Sequence, residues 1–175
     1  MADPKKKKSK IEKAGGDLFD FAIDREDIKW LMKRLPKESK SDRTTVEYEL
    51  QILKIVCVGW SISYCMGENP GKERLLWVYW DSVRRFSEKI STTTKYMAGK
   101  DIDYFEILKD RLDGYVGAMG RNPDAGEPGA VIGPEFAGVC GDPEDIFTFM
   151  SGSKMFISTV NSVREYLKTI KLMGS

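Results

Sequence analysis

The chain reads as an all-α protein, a bundle of four or five helices with a long glycine- and proline-rich loop before the last helix. Three observations predict this. Apolar residues recur at spacings of three and four along most of the 175 residues. No alternating run of comparable length competes with them. Asp, Asn, Pro and Gly stand where helices are expected to begin and end. A chain of this length can close one hydrophobic core without a disulfide or metal staple.

The first helix is expected from about Asp24 to Leu35, with Ile28, Leu31 and Leu35 as its buried stripe and Pro36 as its stop. The second spans about Arg43 to Met66, opened by a capping-box pattern at Thr44 and Glu47 and closed by Gly67. It is apolar on two sides, so it is expected at the centre of the fold. The third starts at Asn69-Pro70 and ends at Gly99, and the fourth runs from about Asp101 to Met119. Residues 114–141 hold eight of the sixteen glycines, which predicts a long irregular segment with only a short helix near Glu135 to Val139. The last helix opens on Asp142-Pro143-Glu144-Asp145. Its stripe of Ile146, Phe149, Ser153, Phe156, Val160, Val163, Leu167 and Ile170 has strict three-four spacing, which predicts antiparallel bundle packing or an intermolecular coiled coil.

Residues 1–16 are expected to be a disordered basic tail, and residues 17–175 a single helical domain. The first thirteen residues hold six lysines against two acids, whereas the rest of the chain is mildly acidic. Nucleic-acid or anionic-membrane binding therefore has to rest on residues 1–13, with Lys5, Lys6, Lys7, Lys8 and Lys10 as the electrostatic contacts. No apolar run reaches the roughly 20 residues of a membrane span. Three irregularly spaced cysteines make no disulfide framework, which points to a reducing, cytoplasmic compartment, or to the nucleus if the lysine run is a eukaryotic import signal.

The chain contains no histidine. That excludes Ser-His-Asp and Cys-His catalysis, histidine-held haem and Glu-x-x-His di-iron sites. No cofactor, metal site or catalytic residue is expected. Gly67 to Glu73 lacks the spacing and the hydroxyl of a phosphate-binding loop. Cys140 lies just before the last helix, where a helix N-terminus would lower its pKa, making it the candidate reactive thiol. Gly59, Tyr64, Ser153 and Trp77 are the candidate ligand-pocket residues, placed where small or aromatic side chains would line a gap between helices. The acids Asp103, Glu106, Asp110 and Asp113 share one helix face, which reads as a solvated surface.

The leading functional expectation is a non-enzymatic helical interaction or scaffold protein, with a protein partner or a second copy of itself. The alternatives are a small-molecule-binding helical domain, which could be an enzyme without histidine chemistry, and a binder of nucleic acid or anionic lipid through the tail.

Overall fold

The computed structural model describes residues 9–173. Seven α-helices and no strands form the described fold: α1 (Lys10–Ile23), α2 (Glu26–Arg34), α3 (Arg43–Met66), α4 (Lys72–Ala98), α5 (Tyr104–Arg121), α6 (Pro128–Val139) and α7 (Ile146–Thr169). The all-α expectation holds. The expected count of four or five helices is too low, because two segments assigned to tail and loop are helical.

The central helix is α3, expected from about Arg43 to Met66 and found there. Every residue from Glu49 to Gly59 is buried. Its N-cap is Asp42, whose carboxylate accepts the Thr45 backbone N–H at 2.9 Å; the Thr44 capping box is not formed. Around α3 stand α1, α2, α4, α5, α6 and α7. Leu50, Leu53, Ile55, Val58 and Ile62 meet Leu75, Tyr79 and Val83 of α4, Leu108 of α5, Phe136 of α6 and Val163 of α7 in one continuous core.

The expected tail ends earlier than Gly16. Ser9 and Glu12 form a capping box, with Glu12 N–H donating to Ser9 Oγ at 3.1 Å and Ser9 N–H to Glu12 Oε2 at 3.0 Å. Ala14, Gly15, Leu18 and Ala22 are buried. The lysine run hid this: Lys10 and Lys13 lie on the exposed side of α1, and Lys13 pairs with Asp17 at 2.6 Å. Lys5, Lys6, Lys7 and Lys8 lie outside the described residues.

The glycine-rich segment is corrected too. Residues 114–121 continue α5, and Pro128 opens α6 with Pro134 inside it. Glycine weakens a helix in isolation, but here it permits a close crossing. A Cβ on Gly129 would sit 2.9 Å from Ile157, and one on Gly133 would overlap Ser153 and press on the Phe149 ring. From the other side, a Cβ on Gly152 would come within 2.6 Å of Phe136. Helices α6 and α7 thus interlock through glycines facing large side chains, and packing outweighs propensity.

This geometry separates two classes of glycine. Gly152→Ala gains about 1 kcal/mol of helix propensity but forces Phe136 aside, so a net loss of about 1–3 kcal/mol is expected by urea denaturation. Gly16 in α1 has no atom within 4 Å of an added Cβ. Gly16→Ala is expected to raise stability by about 0.5–1 kcal/mol in the same assay.

Candidate functional site

The expected stripe of α7 is largely consumed inside the chain. Phe156, Val160, Val163 and Leu167 are buried against α3 and its neighbours. The seam of an intermolecular coiled coil is therefore not available on this face. A second stripe, Phe147, Met150, Lys154, Ile157 and Asn161, follows the same three-four spacing on the outside of α7. Its apolar members are 39%, 43% and 44% exposed, respectively.

The position of α7 is set at its N-terminus by Asp145, which is buried. One carboxylate oxygen accepts the Ser39 hydroxyl at 2.6 Å, the Thr148 hydroxyl at 2.9 Å and the Ser41 N–H at 3.2 Å. The other accepts the Phe147 N–H at 3.1 Å and caps the helix. The loop between α2 and α3 is thereby tied to the start of α7. Burial pushes the Asp145 carboxyl up, but the hydroxyls of Ser39 and Thr148 and the backbone of Ser41 outweigh it and hold the group below its ordinary range.

Along one side of the outer stripe lies α2. Trp30 is 48% exposed, with the Arg34 guanidinium 3.6 Å above its ring. Between α2 and α7 runs a cleft of about 650 Å³, lined by Trp30, Leu31, Lys154, Ile157 and Asn161. It continues toward Leu35, Pro36, Phe147 and Met150. Among the described residues Arg34 and Lys154 have no carboxylate partner, whereas Glu26 is engaged by Lys29 and Asp27 by Lys54. The cleft is an apolar trough edged by two acids already in ion pairs, Glu26 and Asp27, and by two cations, Arg34 and Lys154, without a carboxylate partner among the described residues.

On the other side of α7 a second cleft, of about 340 Å³, opens between α3, α7 and the start of α6. Trp60 and Tyr64, one turn apart on α3, stack with centroids 4.8 Å apart and planes 11° from parallel. Phe156 approaches Trp60 at 5.5 Å. Gly129 and Pro128 close one wall; Asn161 and Arg164 stand at the other.

The residues singled out from sequence are dispersed. Tyr64 lines the second cleft, and Ser153 supports its wall by donating to the Gly129 carbonyl at 2.9 Å. Gly59 lines neither cleft; it is where the Trp80 ring of α4 presses against α3. Trp77 lies exposed on α4 with Arg74 stacked 4.8 Å from its ring and is part of neither cleft. Cys140 is corrected as a reactive thiol. It caps the C-terminus of α6, not the N-terminus of α7, and burial pushes its pKa up to about 12, leaving it protonated at neutral pH. Cys57, Cys65 and Cys140 are all free and buried. Trp60, Trp30 and Arg164 were not singled out for a site. Trp60 fell on an apolar stripe of α3, and a lone arginine carries no sequence signal.

The interior holds charge, but in closed arrangements. Glu49 receives a bidentate grip from Arg111 at 2.8 and 2.9 Å. Lys54, with no exposed surface, bridges the Asp24 carbonyl at 2.8 Å and the Asp27 carboxylate at 2.9 Å. The Tyr115 hydroxyl is buried with no hydrogen-bond partner among the described residues. No group of three or more carboxylates and cysteines gathers at metal-binding distance among the described residues. None of their helices is long and apolar enough to cross a membrane. No family model, curated protein or solved structure matches the chain.

The Asp145 clasp has a pH signature. A carboxyl whose folded pKa lies below its unfolded value stabilises the fold above about pH 4 and loses that contribution as pH falls further. Asp145→Asn leaves one acceptor oxygen for four donors, so a loss of about 1–3 kcal/mol is expected near neutral pH. The gap to the parent chain should narrow as pH falls from about 4 to about 2, measured by denaturant titration across that range.

Proposed function

We propose that this protein is a non-enzymatic helical interaction domain whose trough between α2 and α7 receives an amphipathic helix carrying acidic residues beside its apolar stripe. The observation that carries this is the outer stripe of α7. Phe147, Met150 and Ile157 repeat at helical spacing, remain about two-fifths exposed, and face a trough whose cations Arg34 and Lys154 have no carboxylate partner among the described residues. A helix is the natural occupant, because residues 147 to 161 offer about 21 Å of continuous edge, four turns of a partner helix. Acidic flanks answer the unpaired cations. The free buried cysteines agree with a cytoplasmic setting. Burial of Val160, Val163 and Leu167 makes self-association through the inner seam the weaker form of the reading.

The test is a fluorescently labelled helical peptide with leucines at three-four spacing and flanking glutamates, titrated with the full chain and followed by anisotropy. Saturable binding is expected, weakened by salt and reduced about tenfold or more by Ile157→Glu and by Trp30→Ala. Binding unaffected by both substitutions, or none at all, would overturn the proposal. Sedimentation provides the other arm: a dimer of the chain that Ile157→Glu dissociates would replace the acidic partner with a second copy.

A further inference from the structure

The cleft between α3, α6 and α7 has a composition unlike that of the trough, and a different occupant fits it. Its walls are aromatic and aliphatic: Trp60 stacked on Tyr64, with Phe156 and Val160 beside them. At about 340 Å³ it lies at the small end of ligand sites and suits one or two fused rings. At its edge stands Arg164. No carboxylate pairs with this guanidinium among the described residues; it reaches Asn161 Oδ1 at 3.4 Å. The neighbouring cation Lys168 is already paired with Glu165 at 2.9 Å. A guanidinium has five donors in a planar fork that matches a carboxylate, so most of Arg164's donor capacity is unspent.

We infer that this cleft binds a planar aromatic monocarboxylate, its ring against Trp60, Tyr64 and Phe156 and its carboxylate on the Arg164 fork. The charge state follows from the opposite lip. Glu127 lines the same cleft, and its carboxylate opposes any ligand carrying more negative charge than one arginine can offset. A phosphate dianion is disfavoured on that ground, and an uncharged aromatic leaves the arginine unanswered. Ile157 and Asn161 border both clefts, but the inference does not rest on the α2–α7 trough, because Trp60, Tyr64 and Arg164 lie outside it.

Titration of the isotope-labelled full chain with naphthoate, followed by the indole N–H resonances of the tryptophans, tests this. A saturable shift centred on Trp60 is expected, with naphthalenemethanol, the uncharged counterpart, binding about tenfold or more weakly. Arg164→Met keeps the aliphatic stem and should remove that difference. Arg164→Lys, a charge without the fork, should retain part of it. Trp30→Ala should leave the titration unchanged. No saturable shift at Trp60, equal affinity for the acid and the alcohol, an undiminished preference in Arg164→Met, or a shift centred on Trp30 would each overturn the inference.

Discussion

The structure depends on a single constraint, the enclosure of α3. From Glu49 to Gly59 this helix has no solvent face on which to place its polar side chains, so each one has to find a partner in the shell. Here those partners belong to different neighbours. Lys54 reaches the junction of α1 and α2 through the Asp24 carbonyl and Asp27. Gln51 donates to the Ala22 carbonyl at the end of α1. Glu49 is held by Arg111 of α5, and the Ile55 carbonyl accepts the Tyr79 hydroxyl of α4 at 2.7 Å. Apolar burial supplies the drive, and these contacts add direction: α1, α2, α4 and α5 are fixed in register by polar groups that would otherwise be stranded.

That enclosure also decides what is left for function. With α7 packed on α3 along its regular seam and locked to α6 by the facing glycines, only its outer stripe stays free. The two clefts are the grooves on either side of that stripe, one toward α2 and one toward α6. Their different linings, an apolar trough edged by both cations and ion-paired acids and an aromatic pocket with one arginine and one glutamate, follow from which neighbour supplies the second wall. Glu49 and Lys54 line neither cleft, because they are committed to holding helices together, and Asp27, which borders the trough, is engaged by Lys54.

Much of this was legible from periodicity. The bounds of α3 and most of the inner stripe of α7 follow from three-four spacing, and the central place of α3 from its being apolar on two sides. Two segments were not legible, for opposite reasons. At the N-terminus the lysine run outweighs the Ser9–Glu12 capping box, so a charged outer face reads as a tail. In α6 the glycines read as helix breakers, although Gly129 and Gly133 mark where two helices approach closely, a property of the pair that no single segment displays. The outer stripe of α7 escaped notice because Phe147, Met150 and Ile157 are interrupted by Lys154, beside a stronger stripe one step around the helix. Tyr64 lines a cleft. Its stacking partner Trp60 was assigned to the core, since spacing alone does not separate a buried aromatic from one at a groove edge.

The enclosure of α3 is tested most directly by native-state amide hydrogen exchange on the full chain. The account predicts that amides from Glu49 to Gly59 exchange slowest, at the rate of global unfolding, and that α2 and the exposed end of α4 near Tyr96 and Met97 open at lower cost. Exchange of residues 49–59 as fast as that of α2, with the slowest amides elsewhere, would contradict it.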